Sequence, residues 1–106
     1  MPRGRTYTRI TETMGDTPLI ALRNMGEGLG AGILMKHEGF NPYGSVKDRI
    51  GVAMVEDALE SGALRDGMTV VEPTSGNTGI GVSFAATAYG FPCICTMPET
   101  MTTERR

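Results

Sequence analysis

The sequence predicts an α/β fold in which a parallel sheet is connected by right-handed βαβ crossovers. Short apolar runs alternate with stretches of helical periodicity, and glycine-rich loops separate the two kinds of segment. The apolar runs contain few polar residues, which suits a sheet covered on both faces. A length of 106 residues, 15 of them glycine, is enough for one domain or for part of a larger one.

Composition and charge exclude several classes of protein. The 10 basic and 12 acidic side chains give a net charge of −2, which does not suit nucleic-acid binding by phosphate neutralisation. No apolar run approaches the ~18 residues that span a bilayer, so no membrane partner is expected. Residues 1–9 are basic and polar and are not followed by the hydrophobic segment of a secretory signal, so the expected location is the cytoplasm.

The chain begins with irregular structure and then forms its first predicted strand. Residues 1–16 show no periodicity, and the turn signal at 16–18 leads into a short apolar stretch at 19–22. Residues 24–32 contain four glycines and are predicted to form a loop. The apolar run at 33–38 is the first predicted strand.

The first long helix is predicted from Val46 to about Ser61. The preceding residues 39–44 contain glycine and proline and should form a loop, and Ser45 is the predicted N-cap. Gly62 supplies the expected stop. The apolar residues that follow helical spacing are Val46, Ile50, Ala53, Met54 and Ala58.

The second half of the chain continues the alternation of strands and helices. A strand is predicted at 68–72, a loop at 74–79 and a helix at 80–89. The next strand covers 91–97, and residues 100–106 look like the beginning of a further helix. Ligands of parallel α/β sheets bind outside the carboxyl ends of the strands. The glycine-containing loops that follow the first two strands are therefore expected to face one another.

Lys47 is the first candidate for chemistry. It is one of only two lysines, and it falls in the first turn of the predicted helix, directed between Met54 and Ala58 on the apolar side. Partial burial and the positive end of the helix dipole would both favour the uncharged amine, which can attack a carbonyl and form a Schiff base. The alternative is a lysine that lies along the apolar surface with its ammonium in water. Lys36, in mid-strand, is explained by a salt bridge or an edge position.

The loop at 74–79 is the second candidate. Its glycines let the backbone amides converge at the start of the following helix, and Thr74, Ser75 and Thr78 add hydroxyl groups beside Asn77. The glycine spacing matches neither the dinucleotide fingerprint nor a Walker loop. Without a cation, the loop suits a small carboxylate better than a triphosphate. The alternative is a capped helix start that binds nothing. Together, an amine nucleophile and a carboxylate cradle imply a cofactor aldehyde held on lysine and an amino-acid substrate.

The cysteines and the histidine give weaker signals. Cys93 and Cys95 would point to the same face of a strand, which is poor geometry for a disulfide between them, so they are interpreted as small core residues or, alternatively, as a redox pair. A metal site is not expected, because a zinc ion would need more ligands than these thiols and the distant His37. The roles of all three residues stay open.

Two long motifs resemble those of the pyridoxal-phosphate enzymes related to the tryptophan synthase beta subunit. Residues 41–49, NPYGSVKDR, are similar to the lysine segment of that family, and residues 72–79, EPTSGNTG, to its substrate loop. Within the family the resemblance is strongest to the cysteine synthases, or O-acetylserine sulfhydrylases. Residues 15–19, GDTPL, and 97–106, MPETMTTERR, support this. The resemblance implies a fold type II enzyme with a partial three-layer α/β/α sandwich.

The resemblance also implies roles for individual residues. Lys47 would hold pyridoxal 5′-phosphate as a Schiff base and move the substrate proton, and Asn77 would bind the cofactor's ring hydroxyl. The substrate carboxylate would bind Thr74, Ser75, Gly76 and Thr78. The implied reaction is β-replacement, in which sulfide replaces the acetate of O-acetyl-L-serine to give L-cysteine.

Family members are much longer than this chain, and the resemblance implies an N-terminal portion of such an enzyme. Residues 1–44 would be the N-terminal segment with the first strand, and residues 45–106 part of the small α/β domain. The glycine-rich loop for the cofactor phosphate would lie beyond residue 106, so alone the chain is expected to bind the cofactor weakly or not at all and to have little activity. The full-length family implies a homodimer. Alternatives are a cystathionine beta-synthase, a serine/threonine dehydratase, or a non-catalytic remnant that pairs with a full-length relative.

Overall fold

The structure is a computed structural model that describes residues 4–74 and 76–99. Its described part contains four short strands and three helices, with 3₁₀ turns at Ile10–Thr13 and Glu38–Phe40. The strands are β1 (Leu19–Ala21), β2 (Leu34–Lys36), β3 (Val70–Pro73) and β4 (Cys93–Thr96), and the helices are α1 (Arg23–Gly26), α2 (Lys47–Ser61) and α3 (Asn77–Ala88).

β3, α3 and β4 form the parallel βαβ unit that the sequence predicts. β3 and β4 pair in parallel, from Val70 opposite Cys93 to Pro73 opposite Thr96, and α3 connects them. The predicted α/β fold class, with parallel strands and crossover helices, is confirmed. The assignment of 1–44 and 45–106 to separate parts of a larger enzyme stays a prediction.

The first predicted strand does not belong to the parallel sheet. β2, within the predicted 33–38, pairs antiparallel with β1 in a separate two-stranded sheet, in which Ile20 lies opposite Met35. The expectation of one continuous sheet through all three predicted strands is therefore wrong for the described residues. β1 comes from the apolar stretch at 19–22, and the connection at 22–33, which contains α1, returns the chain so that β2 runs antiparallel to β1.

The helices α2 and α3 match predicted helices, whereas the short helix α1 lies partly in the stretch at 24–32 that was predicted to form a loop, so that prediction is wrong for residues 24–26. α2 ends at Ser61, and Gly62 follows with a φ of 82°, the left-handed conformation that glycine adopts without steric cost. The predicted N-cap is wrong, because Val46 occupies that position, whereas the Ser45 hydroxyl accepts a hydrogen bond from the Lys47 N–H at 3.1 Å. α3 begins at Asn77, three residues earlier than predicted. The helix predicted at 100–106 lies outside the described residues.

The core lies between α2, α3 and the parallel sheet. Its buried apolar residues are Val52, Val55, Leu64, Val82, Phe84, Ala85 and Ala86. α3 packs against both parallel strands, and α2 packs along α3.

The two long helices approach each other closely through glycine. A Cβ added at Gly81 would lie 2.5 Å from the carbonyl oxygen of Lys47, and one at Gly51 would lie 2.7 Å from the backbone nitrogen of Val82. Both distances are too short for any side chain, so the helices contact backbone to backbone. This contact holds the first residue of α2 against the first turns of α3.

Candidate functional site

An open cavity of about 990 Å³ lies where α2 begins, β3 ends and α3 begins. Residues 45–47 line it on one side, and residues 72–74 and 76–80 line it on the other. Cys95 on β4 also lines the cavity. A space of this size at the carboxyl end of a parallel βαβ unit is typical of a small-molecule site.

The cavity brings together the residues singled out in the sequence. Lys47, Thr74, Gly76, Asn77 and Thr78 all line it, whereas Ser75 lies outside the described residues. The two predicted loops therefore face one another, although the preceding strand β2 belongs to another sheet. The backbone contact between α2 and α3 causes this juxtaposition.

The expected burial of Lys47 is wrong, because its side chain is exposed. The buried stripe of α2 consists of Asp48, Gly51, Val52 and Val55, at the spacing of one helix face. Gly51 lets α3 come close to this stripe. The predicted apolar arc lies elsewhere on the helix: the larger side chains Val46, Ile50 and Met54 are 49%, 45% and 41% exposed.

Asn41 holds the chain that leads into Lys47. Only 4% of Asn41 is exposed, and its Nδ2 donates to the Ser45 carbonyl at 3.0 Å and to the Glu38 carbonyl at 3.0 Å. Its Oδ1 accepts from the Gly15 N–H at 2.9 Å. One buried amide thus ties the lysine segment to residues before β1, which fixes where α2 begins.

An ion pair reinforces this connection. Arg49 on α2 donates to Glu38 through Nε at 2.7 Å and Nη2 at 3.0 Å, and Thr17 donates to the same carboxylate at 2.6 Å. The Arg49 guanidinium, with smaller contributions from Thr17 and Asn41, lowers the pKa of Glu38 from its usual 4.5 to about 2. The carboxylate is therefore charged at every physiological pH.

Tyr43 and Asp48 complete the support on the α2 side. The Tyr43 ring stacks on Phe84 of α3 with 4.6 Å between ring centroids. The Tyr43 N–H donates to Asp48 Oδ2 at 2.7 Å, and Asp48 is completely buried. The lysine segment is thus attached to α3 by a ring contact as well as by the helix crossing.

The Thr74 hydroxyl stabilises the loop at 74–79, which lies across the cavity from Lys47. Its Oγ1 accepts from the Gly79 N–H at 2.8 Å and from the Gly76 N–H at 3.2 Å. A Cβ at Gly79 would lie 2.9 Å from Thr74 Oγ1, so only glycine allows this approach. These bonds explain why α3 starts earlier than the apolar periodicity predicts.

The charge distribution suits a small polar ligand. Among the cavity-lining residues that the structure describes, Lys47 is the one cation and Glu72 the one carboxylate. The start of α3 adds helix N–H groups and the positive end of its dipole. A primary amine, a hydroxyl-lined helix start and a side-chain amide at Asn77 form a donor set that fits a carbonyl cofactor together with a carboxylate.

Ser83 and Cys95 are among the cavity-lining residues to which the sequence analysis gave no role in the site. Ser83 follows Gly79 by one helical turn, so its spacing could have placed it on the same face of α3. Cys95 alternates with exposed neighbours along β4, which turns its side chain inward. Both cysteines are free thiols, as the strand geometry predicted.

The two other residues discussed in the sequence lie away from the cavity. The Lys36 ammonium donates to the Thr17 carbonyl at 2.9 Å, where a salt bridge or edge position was expected. His37 accepts from the Gly39 N–H at 3.1 Å through Nδ1 and contacts Phe40 edge-on. These contacts are structural.

Residues 10–106 match the family model described as pyridoxal-phosphate dependent enzyme. The chain belongs to this family. It is 52% identical over 97 residues to a cysteine synthase of Staphylococcus aureus, which covers 92% of this chain and 31% of that enzyme. It is 50% identical over 98 residues to the cystathionine beta-synthase of Oryctolagus cuniculus, which covers 91% of this chain and 18% of that enzyme.

A solved structure gives the same fold. The crystal structure of a cysteine synthase from Entamoeba histolytica superposes with a TM-score of 0.92 at 45% identity, covering 99% of this chain and 32% of that chain. The sequence thus spans about a third of the cysteine synthases that it matches. The fold type II assignment and the resemblance drawn from the motifs are confirmed. Within residues 4–74 and 76–99, no helix combines the length and apolar character needed to cross a bilayer.

Proposed function

We propose that this chain supplies the cofactor lysine and the substrate loop of a cysteine synthase, which converts O-acetyl-L-serine and sulfide into L-cysteine and acetate. The observation that carries the proposal is the cavity in which Lys47 faces the loop from Thr74 to Gly79. The likeness to cysteine synthases of two organisms supports the choice of reaction. When bound, pyridoxal phosphate supplies an aldehyde for the lysine and an electron sink for the substrate α-carbon.

The residues on the two sides of the cavity have different proposed roles. Lys47 would hold the cofactor through Nζ, and the same amine would accept the α-proton of the substrate. Asn77 would orient the cofactor ring through its hydroxyl, and Ser75, Gly76 and Thr78 would bind the substrate carboxylate. Thr74, whose oxygen already accepts two backbone N–H groups, also gives the loop the shape that this requires.

Reductive labelling tests the proposal directly. The chain is incubated with pyridoxal phosphate, reduced with borohydride and digested, and the labelled peptide is identified by mass spectrometry. Reduction traps even the weak binding expected of a chain this short. The chain contains only two lysines, and Lys36 donates to a backbone carbonyl outside the cavity, so Lys36→Arg is a matched control for Lys47→Arg.

The proposal predicts label at Lys47 that persists in Lys36→Arg and disappears in Lys47→Arg. Equal labelling of both lysines would contradict it, because an exposed amine without a site reacts unselectively. Label on neither lysine, both in this chain and in a longer protein that contains this sequence, would contradict it as well and would favour the non-catalytic alternative.

Cystathionine beta-synthase is the second candidate, favoured by the 50% identity to the rabbit enzyme. A longer protein that contains this sequence distinguishes the candidates: O-acetylserine with sulfide yields cysteine in the first case, and serine with homocysteine yields cystathionine in the second. A dehydratase would release pyruvate or an oxobutyrate from serine or threonine alone. The cytoplasmic location and the homodimer of the full-length protein stay predictions.

A further inference from the structure

Two thiols lie side by side under the start of α3. Cys93 and Cys95 alternate with the exposed residues of β4, so both sulfurs lie on the side of the strand that packs on α3. The Ser83 hydroxyl lies 3.5 Å from the Cys93 sulfur and 3.3 Å from the Cys95 sulfur. The two thiols thus share one hydrogen-bonding neighbour and one strand.

The environments of the two thiols nevertheless differ. Cys95 lines the cavity, and its sulfur lies 3.9 Å from the carbonyl oxygen of Gly79, within the candidate substrate loop. Cys93 lies two residues before Cys95 on β4. Burial raises the pKa of its thiol. The raised pKa leaves less of the reactive Cys93 thiolate, and Cys93 is not among the residues that line the cavity.

We propose that Cys95 is a modification site at the base of the cavity, which reacts preferentially with small disulfides that carry a carboxylate, such as cystine. The carboxylate preference rests on the function proposed above, since the same helix start would orient the reagent. Lys47 attracts the carboxylates of such a reagent, and Glu72 on the opposite wall repels them. The start of α3, next to Gly79, adds N–H groups on the side where the sulfur lies.

The reaction is a thiol–disulfide exchange. The Cys95 thiolate attacks one sulfur of cystine, a new S–S bond forms to Cys95 Sγ, and the original S–S bond breaks. The other half leaves as a thiolate and takes up a proton, so that one cysteine is released for each protein thiol consumed. The Ser83 hydroxyl can turn to donate to the Cys95 thiolate. The adduct lies beside Gly79 and fills the space that a substrate would occupy, so the oxidised form of the proposed product would close the cavity.

Single-thiol variants test the proposal. Cys93→Ser leaves only Cys95, and Cys95→Ser leaves only Cys93, so intact mass measures one adduct in each. Each variant is reacted with cystine and with uncharged bis(2-hydroxyethyl) disulfide at equal concentration. For each reagent, the rate of Cys93→Ser is divided by the rate of Cys95→Ser. This ratio compares the Cys95 thiol with the Cys93 thiol, and the intrinsic reactivity of the reagent cancels. Alanine variants at both positions repeat the measurement if a serine disturbs folding, which circular dichroism checks.

The expected result is that the Cys95 thiol reacts with cystine about tenfold faster than the Cys93 thiol, because Cys95 lines the cavity and burial raises the pKa of the Cys93 thiol. The ratio should be clearly smaller for the uncharged disulfide. Equal rates at the two thiols would overturn the modification site, and equal ratios for the two reagents would overturn the carboxylate preference. These measurements use no cofactor, so absent labelling at Lys47, both in this chain and in the longer protein, would refute the proposed function and leave the thiol selectivity standing.

Discussion

Replacing Gly81 with alanine should separate the two helices that build the site. The new Cβ would lie 2.5 Å from the Lys47 carbonyl oxygen and 2.9 Å from the Lys47 carbonyl carbon. Both are backbone atoms at the first residue of α2, so no side-chain rotation can relieve the contact. Relief requires α2 to move away from α3, and Lys47 moves with it.

The size of the effect follows from two opposing terms. Overpacking against a fixed neighbour costs about 1–3 kcal/mol, and this contact, against backbone, belongs at the upper end of that range. Alanine in a helix interior gains about 1 kcal/mol over glycine. The net loss should be about 2 kcal/mol, which for a chain of about 100 residues lowers the Tm by roughly 8–16 °C.

Thermal and urea unfolding followed by circular dichroism measure this loss. Gly30→Ala is the control, because a Cβ there meets nothing within 4 Å and the residue does not have a positive φ. Its stability should stay within about 1 kcal/mol of the parent. If Gly81→Ala proved as stable as Gly30→Ala and kept full labelling of Lys47 by pyridoxal phosphate, the helix crossing would not be what places the lysine.

Three further substitutions test the supports of the site. Thr74→Val removes the acceptor of two loop N–H groups, so stability should fall by about 1 kcal/mol and the Gly79 amide should exchange faster, whereas Thr74→Ser should keep both properties. Asn41→Ala should cost about 2–3 kcal/mol in urea unfolding, because it removes the hydrogen bonds of a buried side-chain amide; an unchanged midpoint would contradict this. Glu38 has its pKa lowered to about 2, so it stabilises the fold above pH 4.5 and loses this contribution as the pH falls toward 2. The stability difference between the parent and Glu38→Gln should therefore shrink over that range, and a difference independent of pH would argue against the ion pair with Arg49.

Local signals explain what the sequence predicted correctly. The end of α2 follows from Gly62, whose left-handed φ stops the helix regardless of tertiary contacts. The β3–α3–β4 unit follows from two apolar runs separated by a helix of the right length. The cavity follows from the same unit, since the loop after β3 must lie at the carboxyl end of its strand.

Non-local contacts explain what the sequence did not reveal. β1 and β2 contain three residues each. A strand this short has too little sequence pattern to indicate which strand it pairs with. The buried face of α2 depends on Gly51 and Gly81, whose approach hides the small residues of the helix and leaves Ile50 exposed. Hydropathy assigned the opposite face because it weighs side-chain size, whereas the packing depends on how close two backbones can come.

Amide chemical shifts test most directly whether the lysine and the loop form one site. The chain is labelled with ¹⁵N, pyridoxal phosphate is attached reductively at Lys47, and its spectrum is compared with that of the unmodified chain. The amides of Gly76, Thr78 and Gly79 should shift, while that of Gly30, far along the chain from the cavity residues, should not. Unmoved loop amides with the cofactor fixed on Lys47 would contradict a shared site.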